Sequence, residues 1–279
     1  MATKTSRDEF WHMPDQLWNL IAPVLGPDKR PGTPGRPAWP NRLMFEAILY
    51  VVRTGCQWHA LPRLEFAPPT TVHTRFRTWV KAGVFDTALS VAVDFYEKRR
   101  GIRWQWQALD AVQTKAPLGG EKTGKSPVDR GKRGTKRSVL VDQRGAPLAV
   151  VVDGANRHEK KLALETVDAV GQRRPKRKQR RRQHITIDKG YDFDDTIQGL
   201  EQRDYIVHRK RRTRRGETPK PVPPEKKYPA RRWVVERTHS WHNRFRRMLV
   251  RWEKRSKNYE AIVAITSMMI AFGMALAPS

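Results

Sequence analysis

In a chain dominated by bases, three carboxylates have the type and setting for chemistry: Asp110, Asp188 and Glu236. Asp110 and Asp188 each close a short apolar run of strand character, QALD and ITID. Carboxyl ends of neighbouring strands in α/β sheets lie close together, so the two side chains can converge. Glu236 is expected on a long helix over residues 231–252. On a helical wheel of about 100° per residue, Val234, Trp241, Phe245, Met248 and Trp252 share one apolar stripe. Glu236 points away from that stripe, among Arg232, His239, Ser240, Asn243 and Arg247.

Three such carboxylates suit phosphodiester chemistry. Cleavage needs an activated water and a stabilised leaving oxygen, and two Mg²⁺ ions roughly 3.5–4 Å apart supply both. Mg²⁺ takes hard oxygen ligands and keeps several waters. In this scheme Asp110 bridges the ions while Asp188 and Glu236 each hold one, and Mn²⁺ serves as a substitute. A DNA 3′-hydroxyl replacing water turns cleavage into strand transfer without a covalent protein intermediate. Each residue also has a plainer reading: Asp110 as a turn cap, Asp188 as a brace for the turn at Gly190, and Glu236 as the partner of Arg232 one helical turn back. Asp142 and Asp153 are rivals by position, while Asp192, Asp194 and Asp195 read as capping residues at a helix start. His239 and His242 lack a third zinc ligand nearby. Gly119-Gly120 and Gly124-Lys125 do not match a phosphate-binding loop. The single cysteine, Cys56, excludes an intramolecular disulfide and reads as packed beside Trp58.

The elements that must position these groups follow from periodicity. Residues 1–99 read as all-helical. Asp15, Asn41 and Thr70 or Thr71 are the expected N-caps of successive helices, and a further helix runs from Val84 to Arg99. The helix after Thr71 carries His73, Arg75, Arg77 and Lys81 among Phe76 and Trp79. It reads as the major-groove helix of a helix-turn-helix, with Arg75 and Arg77 as DNA contacts; an amphipathic helix with a solvated basic face is the alternative. From residue 100 the pattern changes. Trp104–Val112 alternates like a strand, and Ser138–Val141 and Leu148–Val152 flank a hairpin turn at Gln143-Arg144-Gly145. Helices are expected over Glu159–Val170 and Phe193–Arg203, with strands at His184–Ile187 and Tyr205–Val207. The layout is mixed α/β, an antiparallel pair on an otherwise parallel sheet. The domains are therefore read as 1–99, helical and DNA-binding, and 100–279, catalytic.

Lys+Arg number 56 against 28 Asp+Glu, a net charge of +28. Such an excess repels itself unless a polyanion neutralises it, and phosphate backbones do so with release of counterions. Two basic loops, 173–182 and 209–215, concentrate the charge, with 8 of 10 and 6 of 7 positions charged. The uncharged run 261–277 falls just short of the roughly 18–20 residues of a spanning helix and reads as a buried one, with a C-terminal membrane anchor as the alternative. No export signal opens the chain, so a cytoplasmic, nucleoid-associated protein without a membrane partner is expected.

The chain resembles bacterial DDE transposases of the Insertion-Sequence-Five family over nearly its whole length. The resemblance rests on DQLWNLIAPVLGP with GRP and TGCQWHALP, on GGEKTGKSPVDRGKRGTKRSVLVDQRGAPLAV with GANRHE, on ITIDKGYDFDD, and on RRWVVERTHSWHNRFRRM, in that order. It implies an RNase-H-like catalytic domain behind a small helical DNA-binding domain, with Asp110, Asp188 and Glu236 as catalytic and metal-binding triad. It also implies a Tyr-Arg-Glu-Lys type signature of DNA contacts. Tyr228, Arg232 and Glu236 fit it with one extra residue between tyrosine and arginine. Asn243 stands where the lysine is expected, with Arg244 as the nearest base. Asp110 is followed by Ala111-Val112, where a small polar residue is common in that family. The implied function is an insertion-sequence transposase that binds terminal inverted repeats, cuts DNA and joins 3′ ends to target DNA, as a dimer or larger assembly. The alternative is a transposase-derived DNA-binding protein without catalysis.

Overall fold

The computed structural model describes residues 12–27, 37–175, 183–209 and 231–277. Tyr228, Gly35 and Arg36 of the GRP segment, and most of both basic loops lie outside these residues. The chain divides into two compact units, one of residues up to 100 together with 241–279, the other of 101–240. This differs from the expected division at residue 100: the last segment joins the helical unit and not the sheet.

In the helical unit, α1 (Asp15–Leu25), α2 (Asn41–Thr54), α3 (Pro69–Lys81) and α4 (Val84–Arg100) follow the expected order. Their starts differ. The N-cap residues of the first three are Pro14, Pro40 and Pro68, with φ between −55° and −50° and ψ between 135° and 139°. A ring-fixed φ suits this position, and the polar residue expected as cap is released for tertiary contacts. Asp15 instead accepts from Arg42 at 2.5 Å. Asn41 donates to the Gly26 carbonyl at 3.2 Å and accepts from Arg75 at 2.6 Å. Phe45, Phe76, Trp79 and Phe85 form an aromatic core with centroids 5.5–6.2 Å apart. The apolar run expected as a buried helix is α8 (Ser256–Leu276). It is long and apolar enough to cross a membrane, yet most of it is buried within this unit. Phe272 stacks on Phe95 of α4 at 5.6 Å.

The second unit is a six-stranded mixed sheet flanked by helices. Its strands are β1 (Trp106–Lys115), β2 (Gly124–Lys125), β3 (Arg133–Asp142), β4 (Pro147–Gly154), β5 (Gln183–Ile187) and β6 (Tyr205–His208). Central β1 pairs antiparallel with β3 and parallel with β5; β4 pairs with β3, and β6 runs parallel to β5. On one face Leu109, Leu140, Ile185 and Ile187 pack under α5 (Glu159–Asp168) and α6 (Asp194–Gln202) through Ala163, Val167, Ile197 and Leu200. On the other, Ala108, Val139 and Val141 receive Val234 and Val235 of α7 (Trp233–Asn243). With both faces covered, β1 is buried from Trp106 to Leu109 and shows no alternation there, contrary to the sequence pattern.

The expected long helix over 231–252 stops at Asn243. A 3₁₀ turn, Arg246–Met248, follows, and the buried Arg247 guanidinium pairs with Glu253 at 2.7 Å and donates to the Cys56 carbonyl at 3.1 Å. Arg247 is thus a packing residue of the helical unit, not part of a polar helix face. In the sheet unit, the hairpin turn holds α7: Thr238 Oγ1 donates to the Gly145 carbonyl at 2.7 Å and Arg237 to the Arg144 carbonyl at 2.5 Å. Asp142 builds that turn, with its carboxylate accepting from Arg144, Ala146 and Arg103 amides at 2.9, 2.9 and 3.1 Å. Asp142→Ala leaves buried amides without acceptors and is expected to cost about 2–4 kcal/mol, read as a lowered urea midpoint. A midpoint equal to the parent's would show that the turn does not depend on this carboxylate.

Candidate active site

The β1–β5 register decides where the first two carboxylates stand. The parallel ladder ends at Leu109 opposite Ile187, so the next residues on the two chains are Asp110 and Asp188. Asp110 is not at the end of its strand, as the sequence pattern suggested. It lies in the middle of β1, opposite Val139 of β3, at the level where β5 gives way to a 3₁₀ turn, Lys189–Tyr191. Asp188 precedes this turn without capping it by its side chain.

Asp110 is the more enclosed, its side chain 16% exposed against 34% for Asp188 and 52% for Glu236. Burial raises the Asp110 carboxyl to about 6, against the pull of the Ala111 amide and the Arg232 charge; Asp188 and Glu159 push it further up. The Ala111 N–H donates to Oδ1 at 2.9 Å.

Glu236 lies on the exposed side of α7, one turn beyond Arg232. That arginine is the hub of the site. Its Nη1 donates to Asp188 Oδ1 at 2.5 Å and its Nη2 to Glu236 Oε1 at 3.0 Å. The structure thus brings Asp110 beside Asp188, and links Glu236 to Asp188 through a guanidinium. Among the described residues no three His, Cys, Asp or Glu side chains are gathered closely enough to hold a metal ion as they stand. The donor set, all carboxylate oxygen, has the chemistry of a Mg²⁺ or Mn²⁺ site, and a cationic group already stands between two of its members.

The rivals have other work. Asp153 pairs with Arg157, Asp192 with Arg209 at 2.5 Å, and Asp195 with Lys160 at 3.2 Å, while Asp194 opens α6. Arg75, read as a DNA contact, is half-buried, holding Asn41 and lying 5.5 Å over the Trp79 ring. Arg77 is exposed on α3, and Arg244 is exposed just past the end of α7.

Sequence reasoning missed two neighbours of the site. Glu159 packs so closely on the turn after Asp188 that a Cβ at Gly190 would lie 2.3 Å from its Oε2. The nearly buried Lys136 ammonium holds this carboxylate at 3.5 Å. In the sequence Glu159 reads only as the first residue of a helix, so nothing local points to this contact. His239, expected on the polar face with Glu236, is buried, 7% exposed. Burial lowers its pKa to about 3, so the ring is neutral, and its Nε2 lies 3.9 Å from Asp110 Oδ2.

With this geometry in view, two family profiles match the chain. One described as a transposase of the IS4/5 family covers residues 13–89, and one described as a transposase DDE domain covers residues 106–271. A Burkholderia cepacia protein described as a transposase for insertion sequence element IS402 is 34% identical over 157 residues, 55% of this chain and 70% of that protein. A second IS402 protein of the same organism, of 16.2 kDa, is 34% identical over 40% of this chain and 79% of its own length. Among solved structures, a piggyBac transposase synaptic complex with hairpin DNA aligns with 96% of this chain and 74% of its own, at 11% identity and a TM-score of 0.46. A pre-cleavage Mos1 transpososome aligns with 91% and 83%, at 12% identity and a TM-score of 0.28. The chain belongs to the DDE transposases of bacterial insertion sequences. It is an enzyme of DNA cleavage and strand transfer, of a family that depends on a divalent metal.

The raised Asp110 carboxyl has a consequence in the metal-free protein. The unfolded chain releases this proton near pH 4, the folded one near 6. The native state therefore binds more protons in between, and stability falls as pH rises from about 4 to 6, by on the order of 2–3 kcal/mol in all. Asp110→Asn removes this loss. Its stability advantage over the parent is expected to grow from pH 4 to 6 and stay level above, measured by denaturation in chelator. A pH-independent difference would contradict the assignment.

Proposed function

We propose that the sheet unit cuts and joins DNA by two-metal-ion chemistry with Asp110, Asp188 and Glu236 as the metal-binding triad. The observation that carries this reading is the parallel register of β1 and β5, which sets Asp110 beside Asp188 while Arg232 ties Glu236 to the same spot. Two Mg²⁺ ions, or Mn²⁺ in their stead, would lower the pKa of an attacking water and stabilise the leaving oxygen. Asp110, Asp188 and Glu236 would hold the ions, with Asp110, the most enclosed of the three, serving as their shared ligand. Arg232 releases its carboxylates and turns its planar fork to a DNA phosphate, the geometry for which guanidinium is suited. Arg244 is the further phosphate contact, in place of the signature lysine, and Tyr228 belongs to the same group of contacts.

On this reading the helical unit binds the terminal inverted repeats and the sheet unit cuts them and joins the 3′ ends to target DNA. Arg77 and Lys81, exposed on α3, are the groove-facing bases, whereas Arg75 supports them by holding Asn41. Work on two element ends calls for a dimer or larger assembly, and a cytoplasmic location at the nucleoid. A second reading, a DNA-binding protein without catalysis, draws on one observation: the carboxylates stand bridged by Arg232 and not gathered around a common point.

Strand transfer separates the two. Parent and Glu236→Gln are incubated with Mg²⁺ or Mn²⁺ and a labelled duplex of the element's own end. Joined product from the parent and none from the variant, with DNA binding equal, is the expected result; binding without cleavage by both favours the second reading. Arg232→Gln tests the exchange of partners. Removal of one cation beside the site is expected to tighten Mn²⁺ binding without DNA by roughly five- to tenfold, while cleavage falls. Unchanged Mn²⁺ affinity would mean that the guanidinium does not compete for these carboxylates.

A further inference from the structure

His239 is 7% exposed, and among the described residues neither of its ring nitrogens has a hydrogen-bond partner. Buried polar atoms are almost always paired, and an orphan asks for a partner supplied in another state of the molecule. The candidates are few. The ring lies on the α7 side of the sheet, between Asp110 of β1 and the buried Arg137 of β3. A guanidinium offers no acceptor, whereas the Asp110 carboxylate can take an imidazole N–H. The 3.9 Å separation is longer than a hydrogen bond by roughly 1 Å.

Asp110 needs such a partner. Its Oδ1 is held by the Ala111 amide, while among the hydrogen bonds described its Oδ2 accepts none. A metal-binding carboxylate works best when its rotation is fixed by hydrogen bonds from behind. We propose that His239 is a positioning residue for Asp110, its Nε2–H holding Oδ2 while the Ala111 amide holds Oδ1, so that the remaining lone pairs face a divalent cation. This rests on the reading of Asp110 as a metal-binding residue. The placement of His239 on α7, three residues after Glu236, makes the device cooperative. A small approach of α7 to the sheet closes the imidazole–carboxylate gap and carries Glu236 toward the strand carboxylates in the same motion.

A purely packing role makes the opposite forecast. A phenyl ring fills the same space without orphan nitrogens, so a packing residue exchanged for Phe would leave metal binding alone. The test measures Mn²⁺ binding to the full chain without DNA, from the electron paramagnetic resonance signal of free Mn²⁺, together with the thermal midpoint in chelator. The proteins are the parent, His239→Phe, His239→Gln and Asp110→Asn. Expected is a loss of roughly 10- to 100-fold in Mn²⁺ affinity for His239→Phe, with a midpoint equal to or above the parent's, and recovery of most of the affinity in His239→Gln, which keeps a donor. Parent-like affinity in His239→Phe overturns the proposal, as does a loss that Gln does not rescue, whatever the midpoint. If Asp110→Asn alone loses affinity, the metal site stands and only the role of His239 falls. If Asp110→Asn binds Mn²⁺ as the parent does, the reading of Asp110 fails and His239 with it.

Discussion

Two carboxylates that a parallel ladder sets side by side repel each other, and one of them is partly withdrawn from water. Much of the surrounding structure answers that cost. Arg232 stands between Asp188 and Glu236, and Lys136 neutralises Glu159 where this third acid presses on the turn after Asp188. Burial and the neighbouring acids hold the Asp110 carboxyl near 6, about two pH units above an exposed aspartate. The acids of this corner are thus held together by bases placed among them.

The helix that brings Glu236 depends on contacts remote in sequence. Val234 and Val235 seat it on the sheet, while Thr238 and Arg237 fasten it to carbonyls of the β3–β4 turn. That turn is in its own right organised by Asp142, whose buried carboxylate gathers three amides. An acid that looked like a rival for catalysis holds the hairpin on which the position of Glu236 rests.

Local patterns were legible in the sequence where local physics decides. The order of strands and helices, the apolar last helix and the meeting of Asp110 with Asp188 all follow from periodicity and from where apolar runs stop. What was not legible depends on tertiary partners. The alternation of β1 vanishes because helices cover both of its faces. The helix expected to reach Trp252 ends at Asn243, where Arg247 turns inward to Glu253 and the Cys56 carbonyl. His239 looked like a wet residue because imidazole is polar, yet it lies against Asp110 in the interior. The helix caps were misassigned because proline, which has no capping side chain, takes the N-cap position at three helix starts.

The docking of α8 within the helical unit bears on how the protein is made. Ribosomes deliver the chain from its N-terminus, and domains fold as units when all their residues have emerged. The sheet unit, 101–240, is contiguous and can form while synthesis continues. The helical unit waits for residues 256–276, although its first helices emerged long before. Until then the apolar surface that α8 covers stays open, so an interrupted translation product carries a finished sheet and an unfinished helical unit. The helical unit is therefore complete only once residue 276 has emerged, long after the sheet unit.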